Sequence, residues 1–217
     1  MRTVHPQIPK DPLHIDDFSS YAQKLMAEEL PITEIESSEE RINGADYSRV
    51  EIKNSIFKNC TFRNCSFENA SFIDVVFISC DLSNSKLNGA YFERCLFQSC
   101  KCVGIDMSKT VLKQTAIEQS NFEYSNFNQT KMTEILFDHV NFSESSMAEA
   151  KLKGFSATNS KFVKNNFFKT MLATVDFTNN EFAAPTVSTP PIELKGAVVN
   201  IYQAADLISL YGVIVKQ

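Results

Sequence analysis

The chain has 217 residues, with 21 Lys and Arg against 26 Asp and Glu and a formal charge of −5. That balance is too even for a chain that imitates nucleic acid by bulk charge, and no apolar run reaches the roughly 20 residues a membrane helix needs. The start, Met1-Arg2-Thr3-Val4-His5-Pro6, lacks the apolar stretch of a signal peptide, so the expected compartment is the cytoplasm, with no membrane partner.

Residues 1–42 hold four basic against nine acidic residues, whereas residues 43–184 hold fifteen of each, so the excess acid belongs to the N-terminal segment. Pro6, Pro9 and Pro12 make residues 1–16 read as an extended, poorly structured arm. Residues 17–30 read as a short helix ended by Pro31, with Ser19 or Ser20 as its cap. An acidic helix there serves either as a partner-binding segment or as a lid over the element that follows. The lid is favoured, because an open parallel edge templates aggregation. Residues 1–44 are therefore an N-terminal arm and cap, and Ile42 already falls in the phase of what comes next.

Residues 45–184 repeat every five residues. Fifteen of the 18 Phe, all but Phe18, Phe155 and Phe168, share the phase of Tyr47. The column includes Phe57, Phe62, Phe67, Phe72, Phe77, Phe92, Phe97, Phe122, Phe127, Phe137, Phe142, Phe162, Phe167 and Phe177, the candidate core. Two residues before each lies a small or branched residue, such as Val50, Ser55, Cys60 and Cys65. A period of five fits neither the 3.6 of a helix nor the 2.0 of a flat strand. It fits a chain that turns a corner every five residues, four sides closing a coil that stacks on the next at about 4.8 Å, so seven coils would span about 34 Å. Pro31 and Pro185 bracket the repeat and no proline lies between them, as ladder donors require. Phe155 stands in a small slot where Ala157 stands in the large one, a swap that conserves interior volume. Asn165 and Asn180 stand in inward slots where an amide must find partners. These departures read either as a bulge shaping a binding surface or as drift near the end, and drift is favoured.

The repeat resembles the pentapeptide-repeat family, through pentads such as Cys80-Asp81-Leu82-Ser83-Asn84 and Ser120-Asn121-Phe122-Glu123-Tyr124. That resemblance implies an all-β solenoid, a right-handed quadrilateral parallel β-helix, here of about seven coils with a C-terminal helix cap.

Residues 185–217 follow. Pro185, Pro190 and Pro191 mark a linker. A helix capped by Asn200 and stopped by Gly212 comes next, then Val213-Ile214-Val215 as a short apolar strand. Ile201, Ala204, Ala205, Ile208 and Tyr211 share one helical face. Gln203-Ala204, Leu207, Leu210 and Gly212 in this order resemble the C-terminal module of the quinolone-resistance (Qnr) branch, as found in Gram-positive bacteria. The resemblance implies a homodimer, with Ile201, Ala204, Ala205, Leu207, Ile208, Tyr211, Val213, Ile214 and Val215 at the interface. A cap folding back on its own chain is the other reading.

No catalytic set emerges. The Cys residues occupy inward columns and lack CxxC spacing and His partners, so neither a metal site nor a disulfide framework is expected. Gly89, Gly104 and Gly154 sit at corners and form no phosphate loop. A closed coil leaves no room inside for a substrate, so no enzyme activity and no cofactor are expected. The surface remains. The face of Phe57 and Phe77 carries Lys58, then Glu118, Asp138 and Asp176, and is the candidate partner-binding surface; the adjacent face carries Lys113, Lys131, Lys151 and Lys153. The Qnr resemblance implies binding to a type II topoisomerase, DNA gyrase or topoisomerase IV, as a rod that takes the place of DNA and protects the enzyme from quinolone-type inhibitors, without touching nucleic acid itself. The alternatives are a passive protein-interaction scaffold and a topoisomerase-directed toxin immunity factor.

Overall fold

The computed structural model describes residues 5–215. Met1 to Val4 of the expected arm, and the last two residues, lie outside it. The molecule is built on pairing at a distance of twenty residues: Ile52 lies in parallel register with Phe72, Phe57 with Phe77, Phe77 with Phe97, and Phe97 with Ile117. Four five-residue sides thus close each coil, and the fold is a parallel β-solenoid. All fourteen candidate core phenylalanines are buried, and the rings stack from coil to coil. Phe57 and Phe77 centroids are 5.4 Å apart, Phe72 and Phe92 4.8 Å, and Phe77 and Phe97 4.9 Å. Stacked and edge-on pairs of this kind contribute beyond the area they bury.

The small column has a second task. Several hydroxyls and thiols there donate to a carbonyl in the coil below: Ser145 Oγ to the Phe122 carbonyl at 2.7 Å, and Cys60, Cys80 and Cys100 Sγ to those of Ser37, Phe57 and Phe77 at 3.4 Å. The same oxygens accept as well, Ser120 Oγ from the Cys100 amide at 2.9 Å and Ser145 Oγ from the Ser125 amide at 3.0 Å. A small side chain that can hydrogen-bond therefore closes the ladder at a point where backbone alone leaves groups unpaired. All six cysteines are free and buried. Burial pushes the Cys95 thiol up to about 12, away from the thiolate that metals and oxidants need.

Corners lie two residues after each large inward residue, and there the backbone is left-handed, from φ 46° at Gln114 to φ 70° at Thr174. Asn fills many of these corners, since its short amide tolerates that region. Gly89 and Gly104 answer a further demand: a Cβ would stand 2.4 Å from Asn69 Oδ1 and 2.6 Å from Asn84 Oδ1.

The ladder overruns both ends of residues 45–184, giving about nine coils where seven were expected. Ile32, Ser37 and Ile42 already keep the phase; Ile32 pairs with Ile52 and Ile42 with Phe62. Leu13–Ile15, placed by the sequence in a loose arm, pairs with residues 35–37. The arm itself is fastened where it crosses the rod: the Gln7 amide donates to Asp74 Oδ1 at 2.9 Å and Asn54 Nδ2 to the Gln7 carbonyl at 2.7 Å. The expected linker is a final, looser coil. The carbonyls of Glu193, Gly196 and Val198 accept from the amides of Leu172, Thr174 and Phe177 at 2.8–2.9 Å. A coil that contributes mainly carbonyls tolerates prolines, which lack only the donor. Glu193, completely buried, holds this coil by accepting from the Lys169 amide at 2.8 Å, the Ser188 amide at 3.0 Å and the Ser188 hydroxyl at 2.6 Å.

Helix α1, Phe18–Ala27, plugs the first coil. Its cap is Asp17, accepting from the Ser20 amide at 2.9 Å, where Ser19 or Ser20 was expected; the cap lies two or three residues earlier because Phe18 enters the core. The Phe18 ring lies 5.0 Å from Phe57, 5.5 Å from Tyr47 and 5.7 Å from Phe62. That is the lid reading of this segment.

Candidate interaction surface

At the other end, α2, Ile201–Leu207, starts at Asn200, whose side chain caps the Tyr202 and Gln203 amides while Gln203 Oε1 takes the Asn200 amide. A 3₁₀ turn, Ile208–Tyr211, follows and stops at Gly212 with φ 75°. Gln203 and Leu207, four residues apart on one face, meet the rod, and Gln203 Nε2 donates to the carbonyls of Phe177 at 2.9 Å and Asn180 at 2.7 Å. Leu207 is therefore a rod contact and not part of the outward face expected of it. Ile201, Ala204, Ala205, Ile208 and Tyr211 are exposed, as are Val213, Ile214 and Val215, with Ile201 at 79% and Ile214 at 85%. Val213-Ile214-Val215 is not a strand here and pairs with no other segment among the described residues. Together these side chains form an apolar patch at one end of the rod.

Along the rod, Glu118 and Asp138 are register partners one coil apart. Asp138 Oδ1 also lies 2.9 Å from Nδ1 of the exposed His139 at the corner. Asp176 is not in their column: it bridges Val198 in the last coil, and Thr158 and Thr178 occupy the places that follow Asp138. Lys58, the one basic residue of this face, is tied to Glu36 at 2.8 Å. The neighbouring face keeps its lysines close, Lys131 in register with Lys151 and Thr133 with Lys153.

One ion pair escaped the sequence reading. Asp74, nearly buried, takes Arg94 Nε at 2.8 Å and a second guanidinium nitrogen at 2.7 Å, in addition to the Gln7 amide. The two residues are twenty apart at successive corners, so the signal was present once the coil length was known. A bidentate pair of this geometry is among the stronger polar contacts a protein surface makes.

Phe155 and Ala157 are exchanged as the sequence suggested, with a consequence it did not reveal. The Phe155 ring turns inward onto Phe137 at 5.1 Å, and Phe177 of the next coil stacks on Phe182 at 4.1 Å. Between them opens a cavity of about 330 Å³, lined by residues 155–158 on one side and Thr174, Asp176 and Asn179 on the other. Asn180 finds its partners, donating to the Ala157 carbonyl at 2.9 Å and accepting from the Ser160 amide at 2.9 Å. Asn165 donates to the Phe142 and Ser145 carbonyls, but its Oδ1 is unpartnered among the described residues. No cluster of three or more His, Cys, Asp or Glu that could hold a metal occurs among the described residues, and no helix there is long and apolar enough to cross a membrane.

This architecture defines a class, the parallel β-solenoid with a five-residue repeat. Residues 70–141 match the family described as pentapeptide repeat region, and the same rungs continue on both sides of that match. Among solved structures, a trypsin-treated variant of QnrB1, described as a plasmid-mediated fluoroquinolone resistance protein, is 19% identical with a TM-score of 0.53. That match covers 95% of this chain and all of that one. HetL, a pentapeptide-repeat protein involved in heterocyst differentiation regulation in the cyanobacterium Nostoc, is 12% identical, covering 85% of this chain and 95% of its own, with a TM-score of 0.41. No curated protein matches the chain.

Proposed function

We propose that this chain is a non-catalytic protein that binds a type II topoisomerase, DNA gyrase or topoisomerase IV, and shields it from quinolone-type inhibitors. The observation that carries the reading is an uninterrupted rod with the QnrB1 fold along 95% of its length. The acidic pair Glu118 and Asp138 on a flat face supports it, as a surface that can face a basic DNA-binding channel. The exposed apolar patch around Ile201, Ile208 and Ile214 supports a homodimer with two rods joined at their C-terminal ends, since a patch of this kind on a monomer calls for a partner. Binding of this electrostatic kind weakens as salt rises and competes with duplex DNA. The test is gyrase supercoiling with and without ciprofloxacin across a titration of the protein. Rescue of supercoiling in the presence of drug is expected, together with displacement of DNA from the enzyme. No rescue at any concentration, with no competition against DNA, removes the reading. Rescue against a peptide toxin alone would assign the protein to immunity instead.

A further inference from the structure

The cavity beside Phe155 coincides with the one long strand that the ladder leaves half used. Strand Lys151–Thr158 pairs along its length with Lys131–Asp138, but no strand pairs with its other edge among the described residues. Residues 171–178 of the next coil form turns there instead of a strand, and no backbone hydrogen bond joins them to residues 151–158 among the described residues. The Ala157 carbonyl accepts from the Asn180 side-chain amide, as the matching carbonyls of earlier coils accept from the small column, so the opening lies in the missing backbone pairs. In a parallel strand alternate residues aim both backbone groups at the same side, so such an edge is a template for one more strand. Proteins blunt such edges with lysine, and the first half of this strand is guarded by the exposed Lys151 and Lys153. Residues 155–158 carry no charge at all.

Across the opening stands Asp176. Its Oδ1 accepts both the Thr178 amide at 2.8 Å and the Thr178 hydroxyl at 2.6 Å, which hold its carboxyl below the usual range and keep it ionised. Its Oδ2 has no partner among the described residues. A free strand edge, an apolar floor of Phe155 and Ala157, and a fixed carboxylate thus meet in one notch of about 330 Å³.

We propose that this notch docks an extended peptide segment bearing a Lys or Arg side chain. The segment's main chain completes the free edge of strand Lys151–Thr158, an apolar side chain covers Phe155 and Ala157, and the cation reaches Asp176 Oδ2. Strand addition supplies affinity through main-chain hydrogen bonds, and the side-chain pocket supplies selectivity. The proposal stands whether or not the larger partner is a topoisomerase.

The probe is the acetylated and amidated peptide Ala-Val-Arg-Val-Ala, with Ala-Val-Glu-Val-Ala as its charge-reversed counterpart. Each is titrated into the full-length protein while amide shifts are followed by NMR. The expected result is saturable shifts at residues 155–158 with the Arg peptide and none with the Glu peptide. Asp176→Asn, which keeps the Thr178 hydrogen bonds, weakens binding by about tenfold, as loss of a charged hydrogen bond requires. Ser156→Lys, on an outward position of the free edge, abolishes binding while thermal unfolding stays that of the parent. Absence of shifts at residues 155–158 up to millimolar peptide overturns the proposal. So does binding that Asp176→Asn leaves unchanged, or that the Glu peptide matches.

Discussion

At the scale of the residue, stability lies with the large inward column. Phe97 is fully buried and its ring contacts Phe77, Phe92 and Phe122 from three directions. Phe97→Ala removes those contacts and leaves a cavity in a stack with little freedom to collapse, so it should cost about 3–5 kcal/mol. Thermal or denaturant unfolding checks this, and a variant that melts like the parent would place Phe97 outside the core. The column was legible because a fixed period of five puts chemically alike residues in one place and admits few geometries. The polar partners were not, because their reasons are three-dimensional. Asp74 meets Arg94 only through a coil of known length, and Asp17 displaces the expected serine caps because Phe18 is drawn under the first coil. Glu193 looks like one acid in a proline-rich linker until three donors are seen converging on it.

At the scale of the element, the two ends differ in how they are closed. The N-terminal end is sealed by an aromatic plug, whereas the last coil depends on a buried carboxylate. Burial alone raises the Glu193 pKa, but the Ser188 hydroxyl and the Lys169 and Ser188 amides outweigh it and hold it below its ordinary 4.5. Since the folded value is the lower one, the stabilisation is complete above pH 4.5 and is lost as pH falls through the folded value. Amide protection factors over residues 186–199 should therefore drop between pH 5 and pH 3, ahead of those in the central coils, and Glu193→Gln should show the loosened state already at pH 7. Equal protection at both pH values would show that the carboxylate is not what fastens this coil. The ladder runs past residues 45–184 at both ends, for a different reason at each. The N-terminal coil keeps the phase with Ile32, Ser37 and Ile42 in place of Phe, whereas the last coil slips by two residues, so that Asp176 bridges Val198, and it accepts through carbonyls that tolerate the prolines nearby.

At the scale of the whole molecule, the proposed function divides between the end of the rod and its sides. If the C-terminal patch joins two copies, Ile201→Lys should convert a dimer to a monomer in sedimentation equilibrium with the unfolding of the rod unchanged, since Ile201 is 79% exposed where Leu207 is buried. A parent that sediments as a monomer at micromolar concentration would leave the patch to another partner. The sides are the harder part to read from sequence. The columns along the axis can be written down from the period, which brings Glu118 next to Asp138 and sets Thr158 and Thr178, not Asp176, in line with them. The measurement that bears most directly on the proposed function is gyrase supercoiling at a fixed inhibitory concentration of ciprofloxacin, comparing the parent with Glu118→Lys/Asp138→Lys. The account predicts that the parent restores supercoiling and that the double variant, folded and equally stable, does not. Failure of the parent to restore supercoiling, or equal rescue by both proteins, would contradict it.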